Sequence, residues 1–233
     1  MKKATLSSLA ALGLYCFATP TYAQQLQAAG ISAGFNVARL KADRYAFRYN
    51  SVLIDPLADQ SNDETGNSIT LFGRWKIGQA GGWYVQPELG YMSALETPVL
   101  LSNATGAYPY ANSRIRRLDA RLLGGYQSGP LRLFAGPSIG YYLYNSRNFT
   151  SPDPELQAVM SALDANPKRW QVAVQAGAGV TLGRLDLNVR YEWGLSPYKQ
   201  SFPAPGKSAF LTRRMQQLVL EGGFQLYRRS KSK

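Results

Sequence analysis

From Leu185 to Ser196 the chain alternates without a break. Leu185, Leu187, Val189, Tyr191, Trp193 and Leu195 are apolar, while Asp186, Asn188, Arg190, Glu192, Gly194 and Ser196 between them are polar or small. Successive side chains on a strand point to opposite faces, so this segment predicts a strand with one oily and one charged face. Seven further segments read as strands, roughly 30–40, 68–78, 83–94, 114–127, 131–145, 169–182 and 212–227. Each can cross a hydrocarbon layer at a tilt, which takes ~9–11 residues. Connections 79–82, 128–130 and 183–184 are tight and rich in turn residues, whereas 41–67, 95–113, 146–168 and 197–211 are long and polar. Short turns on one rim and long loops on the other predict an all-β fold, an eight-stranded antiparallel up-and-down transmembrane barrel with periplasmic turns and extracellular loops.

Faces follow from the same period. Ile69, Leu71, Gly73, Trp75 and Ile77 oppose Thr70, Phe72, Arg74 and Lys76, and Trp83, Val85, Pro87, Leu89 and Tyr91 oppose Tyr84, Gln86, Glu88, Gly90 and Met92. Leu118, Ala120, Leu122, Gly124 and Tyr126 oppose Arg117, Asp119, Arg121 and Gln127. In the last segment Leu218, Leu220, Phe224 and Leu226 oppose Arg213, Gln217, Glu221 and Gln225. An arginine at the lipid midplane costs ~2–4 kcal/mol, so the charged faces turn inward. The expected lumen set is Arg74, Lys76, Glu88, Arg117, Asp119, Arg121, Arg132, Asp186, Arg190, Glu192 and Glu221. Eight strands leave an interior just wide enough for side chains to fill, so a polar plug is the plain reading and a narrow ion path the functional one. Glu88 stands out, with several inward arginines able to pair with it. Pro87 lacks a ladder donor and a closed barrel has no free edge, so a bulge is expected there. Trp75, Trp83, Tyr126 and Tyr227 fall near the short-turn rim, and Tyr141, Trp170, Tyr191 and Trp193 near the long-loop rim, as two interfacial girdles would.

The N-terminus changes the picture by naming a destination. Met1, Lys2 and Lys3 precede a short apolar core at 9–18, and Thr21-Tyr22-Ala23 forms a small-residue cleavage site before Gln24. Residues 1–23 read as a signal peptide, 24–227 as a barrel domain and 228–233 as a basic tail. The apolar run is too short for a bilayer span, which takes ~20 residues, and Tyr15 is too bulky for lipoprotein processing at Cys16. Cys16 is the single cysteine, and there is no histidine. The mature chain therefore has no disulfide and no imidazole base, no motif marks a metal or cofactor, and a non-enzymatic role is expected. The chain carries 26 basic and 14 acidic residues; without Lys2 and Lys3 the balance is 24 to 14, a net charge of +10. An exported chain seldom meets nucleic acid, so lipid phosphates are the expected partners, in the outer membrane of a Gram-negative bacterium.

The long loops carry four candidate features. Ser151 or Asp153 can cap a helix that has Pro154 in its first turn and Pro167 beyond its end, with Leu156, Val159, Met160 and Leu163 on one stripe. Such stripes mostly pack on neighbouring loops; the sharper reading is a docking surface for a partner or for lipid. Asp59, Ser61, Asp63 and Glu64 have oxygen-rich spacing but lack the full ligand set of a calcium loop, so a solvated loop is expected. Arg44, Arg48, Arg114, Arg116, Arg147, Lys168, Arg169 and Arg214 crowd one rim, either as a solvated edge or as bidentate ligands for lipopolysaccharide phosphates. The 228–233 tail, commonly a disordered feature, could touch anionic inner-leaflet headgroups.

Trp83-Tyr84-Val85-Gln86-Pro87-Glu88-Leu89-Gly90-Tyr91 resembles the Gln-Pro-Glu-Leu third-strand motif of the PorT-like outer-membrane β-barrels, relatives of the small OmpX-type barrels. Gly136-Pro137-Ser138-Ile139-Gly140-Tyr141, Gly177-Ala178-Gly179-Val180 and Arg190-Tyr191-Glu192-Trp193-Gly194-Leu195 resemble later strands of that family. The exported N-terminus, the eight alternating segments and the turn-loop asymmetry predict a barrel, expected as a monomer, with a structural or interaction role; the resemblance implies a secretion-accessory role as its narrowest form. Two other readings share eight strands. One is a narrow porin-like pore; the other is a soluble periplasmic lipocalin-like carrier, in which the apolar face would turn inward.

Overall fold

A computed structural model describes residues 24–42, 47–49, 51–55, 64–78, 82–95, 99–103, 106–110, 115–143, 153–165, 169–196, 198–204 and 207–229. The predicted signal peptide, Asp59, Ser61, Asp63, Arg44, Arg114, Arg147, Lys168 and the end of the basic tail lie outside them. Eight long strands form the body: β1 (Gln24–Ala42), β4 (Glu64–Ile77), β5 (Trp83–Ala94), β8 (Ile115–Ser128), β9 (Leu131–Leu143), β10 (Trp170–Leu182), β11 (Leu185–Gly194) and β13 (Lys207–Arg228). Each pairs antiparallel with the next, and β1 pairs with β13 from Ala28 opposite Arg228 to Ala42 opposite Arg213, which closes the sheet. No described helix is long and apolar enough to cross a membrane.

The burial pattern follows the sequence period. Along β8 every second residue from Arg117 to Gly125 is buried while its neighbours are exposed. Outward Leu89, Leu133 and Leu226 are each 65% exposed, whereas inward Arg74, Arg117 and Arg132 are each 1% exposed. This inverts the lipocalin-like arrangement and presents an apolar band of the kind that faces lipid. Edge-on aromatic pairs Trp83–Tyr126 (5.2 Å) at one rim, and Tyr141–Trp170 (4.8 Å) and Tyr191–Trp193 (4.6 Å) at the other, stand at strand ends.

Pro87 causes no bulge. Phe72 faces Glu88 and Trp75 faces Val85 in one register, so the pairing with β4 is interrupted for two positions and resumes without an inserted residue. The missing donor is absorbed by that short gap. Register shifts occur instead on β1, between Leu26 and Ala28 against β4 and between Ala29 and Gly30 against β13.

The interior is crowded enough to need missing side chains. A Cβ at Gly125 would overlap the Tyr84 ring and stand 2.7 Å from the Leu133 carbonyl oxygen. Gly125→Leu is therefore expected to destabilise the barrel by ~1–3 kcal/mol, read as a lower urea midpoint in lipid vesicles.

The described parts of the long connections carry secondary structure of their own. β2 (Phe47–Tyr49), β3 (Val52–Asp55), β6 (Val99–Asn103) and β7 (Gly106–Tyr110) form a separate sheet in the order β2-β3-β6-β7. β12 (Tyr198–Ala204) pairs with the outer end of β13. Helix α1 (Pro154–Ala165) contacts β12 and β3. Asp153 caps it, its Oδ1 accepting from the Glu155 and Leu156 amides at 2.9 and 3.3 Å. Glu155 accepts from Ser51 and Asp153 from Asn103, tying three connections together. Val52, Ile54, Leu101, Leu156 and Val159 are buried in this cap. The side chains of Met160 and Leu163 lie outside the described set.

Candidate functional site in the barrel lumen

Strand alternation delivers ten charged side chains to the lumen, and none is more than 5% exposed. The eleventh expected member, Lys76, is half-buried at the short-turn rim. Seven of the ten form one chain of alternating sign across four strands, β5, β8, β11 and β13. Glu192 Oε1 lies 2.8 Å from Arg117 Nη2, and Arg117 Nε lies 2.6 Å from Asp119 Oδ1. Asp119 Oδ2 accepts from Arg121 Nη2 at 3.0 Å, and Arg121 Nη1 reaches Glu88 Oε2 at 3.3 Å. Arg190 Nη1 donates to the same Glu88 oxygen at 2.7 Å and pairs with Glu221 through its other amino group. Glu88 thus sits between two guanidinium groups from different strands.

Nearer the short turns lies a triad of the opposite balance. Asp186 bridges Arg74 at 3.0 Å and Arg132 at 3.2 Å, with further hydrogen bonds from Thr181 (2.6 Å) and Gln225 (3.1 Å). Gln86 joins the two groups. Its Oε1 accepts from Arg74 Nε at 2.7 Å and its Nε2 donates to Glu88 Oε1 at 2.7 Å. The chain holds three arginines and four carboxylates, the triad two arginines and one carboxylate, so these ten described residues carry five charges of each sign. The layers differ by one charge in opposite senses, and Gln86 is the neutral link.

Apolar layers accompany the charges. Ala38, Met92, Ala94, Tyr142 and Met215, with Ile115 against them, close the long-loop side. Tyr84, Leu123 and Phe134 form a second cluster, level with the triad and Gln86. Arginine couples the layers because its planar head stacks as well as hydrogen-bonds. Arg74 lies over Tyr84 at 5.3 Å and Phe72 at 5.6 Å, and Arg117 lies over Tyr142 at 6.0 Å. Gln171 and Gln175 satisfy the outer end, accepting from Arg117 at 2.6 Å and donating to Glu192 at 2.6 Å. Sequence reasoning passed over the inward amides Gln86, Gln171 and Gln175 as site members, though alternation already placed them on the charged face.

The other candidates separate by rim. Arg48, Arg116, Arg169 and Arg214 are exposed at the long-loop side, with Arg169 Nη1 donating to the Tyr141 hydroxyl at 2.9 Å. Glu64 opens β4 and is the only described member of the oxygen-rich quartet. At the short-turn rim Arg184, Arg228 and Arg229 are exposed, and Arg228 Nη1 donates to the Gly183 carbonyl.

A family model for the outer membrane protein beta-barrel domain matches residues 22–200. Among curated proteins none matches the sequence. Three solved barrels are similar in shape. OprG from Pseudomonas aeruginosa gives a TM-score of 0.44 at 14% identity over 86% of this chain and 96% of that one. Ail of Yersinia pestis, solved with the heparin analogue sucrose octasulfate, gives 0.43 at 11% identity over 87% and 100%. AlkL in DMPC bilayers gives 0.40 at 11% identity over 92% and 98%. The family assignment rests on the family model.

Proposed function

The chain belongs to the outer membrane protein beta-barrel domain family, and from that premise we propose that it is a non-enzymatic, monomeric barrel that acts through its rims and loops and not through its lumen. The observation carrying this reading is the burial, among the described residues, of ten inward charges to 5% exposure or less, five of each sign, with an apolar cluster on their long-loop side. A water-filled path would leave such groups accessible. The surface on offer is the cap of β2, β3, β6, β7 and α1 with the exposed arginines Arg48, Arg116, Arg169 and Arg214 around it. Guanidinium groups suit phosphates of surface lipopolysaccharide, and the cap suits a protein partner. A secretion-accessory role, implied by the PorT-like strand motifs, is the narrowest form of the proposal. In the same reading residues 1–23 direct export, residues 24–227 make the barrel and residues 228–233 form a periplasmic tail.

Planar-bilayer recording tests it. Purified protein that shows heat-dependent gel mobility, the mark of a folded barrel, is expected to give no discrete current steps. Reproducible steps would replace the closed body with a narrow pore.

A further inference from the structure

On the outer wall near the short turns, an apolar groove of about 560 Å³ crosses β9, β10 and β11, with Tyr126 and Ser128 of β8 at its edge. Leu131, Val180 and Leu187 form one row of its lining and Leu133, Ala178 and Val189 the next, each row paired strand to strand. The dip arises where β10 is poorest in side-chain volume, from Ala176 to Gly179. The two glycines have inward reasons to be small. A Cβ at Gly177 would stand 2.7 Å from the Phe134 ring, and one at Gly179 would stand 3.1 Å from Arg132 Nη2. Ala178 faces outward, where no inward neighbour demands a methyl group, and its small size is what hollows the wall between Leu133 and Val189.

The adjoining rim is basic. Gly183 and Arg184 make the β10–β11 turn, three residues beyond Val180 and so about 10 Å from the groove. Arg228 reaches the same turn through the Gly183 carbonyl, and Arg229 follows it. Among the described residues the sole carboxylate near this rim is Asp186, which is buried and committed to Arg74 and Arg132. An apolar trough on a lipid-facing wall, ending at uncompensated guanidinium groups, complements a molecule with a long hydrocarbon chain and an anionic head.

We infer that this groove and the Arg184–Arg228 turn bind one anionic phospholipid of the inner leaflet, with an acyl chain along Ala178 and the phosphate at the turn. The inference rests on the wall facing lipid, as the family assignment requires. Arginine supplies the headgroup preference, because each basic side chain near an anionic surface contributes ~1 kcal/mol, about fivefold in occupancy. The groove supplies affinity that is indifferent to headgroup.

Native mass spectrometry of protein refolded with equal dioleoylphosphatidylglycerol and dioleoylphosphatidylcholine tests both halves. The wild type is expected to retain one phosphatidylglycerol in preference. Arg184→Gln should lower that preference by about fivefold, and Ala178→Phe should abolish retention of either lipid. Ala178→Leu, a smaller filler, should reduce retention in the same direction. Equal retention of the two lipids by wild type, or unchanged retention in both Ala178 variants, overturns the site. Heat-dependent mobility is measured on every sample. Its persistence with lipid retention lost isolates the groove, whereas its absence in the wild type overturns the barrel and the site together.

Discussion

Arg190→Leu is expected to cost about 3–5 kcal/mol of unfolding free energy, because it leaves Glu221 without its arginine and Glu88 with Arg121 at 3.3 Å as its one remaining ion pair, beside the Gln86 amide. Adding Glu221→Leu should return part of the loss. Arg190 and Glu221 are the end of the alternating chain, so deleting both leaves Glu192, Arg117, Asp119, Arg121 and Glu88 paired in sequence. A double variant more stable than the single one is the signature of an alternating network, since losses at unconnected sites would add. Urea unfolding in lipid vesicles, followed by tryptophan fluorescence, measures both. If Arg190→Leu shifts the midpoint no more than Val189→Ile on the opposite face, the chain has no structural role.

Val189→Arg is expected to block membrane assembly where Asn188→Gln, one residue away, is tolerated. Val189 is 42% exposed on the outward wall, and a guanidinium there meets hydrocarbon at ~2–4 kcal/mol. Asn188 points into the lumen and accepts from Arg132 at 2.8 Å, a bond that a longer amide can still make. Recovery of each variant in outer membranes, with heat-dependent mobility, reads the outcome. Normal assembly of Val189→Arg would mean that this face does not meet lipid.

The eight strands were legible because period-two alternation is a local property, and in β5, β8 and β11 it is nearly uninterrupted. Which residues face inward was legible for the same reason. Who pairs with whom was not. Arg190 reaches Glu88 across the lumen, from a strand 102 residues away, and that choice depends on strand tilt and stagger, which no local pattern encodes. The sheet of β2, β3, β6 and β7 was also missed: its strands are three to five residues long, too short to display a period. Expecting a bulge at Pro87 treated the lost donor as something the chain must repair by inserting a residue. The strand instead leaves two ladder positions unbonded and keeps its register.

The span of the lumen pairs constrains the order in which the protein can be assembled. Arg74 meets Asp186 across 112 residues, Arg117 meets Glu192 across 75, and Arg190 meets Glu88 across 102. A lone β4–β5 hairpin would carry Arg74 without Asp186, and a lone β10–β11 hairpin Arg190 without Glu88 or Glu221, with hydrocarbon where the lumen should be. The β8 arginines find Asp119 on their own strand and Glu88 on the next, whereas Arg74 and Arg190 are fully paired only when distant strands are present together. Completing the lumen's ion pairs is therefore coupled to closing the barrel, since the partners of Arg74 and Arg190 arrive with its far strands.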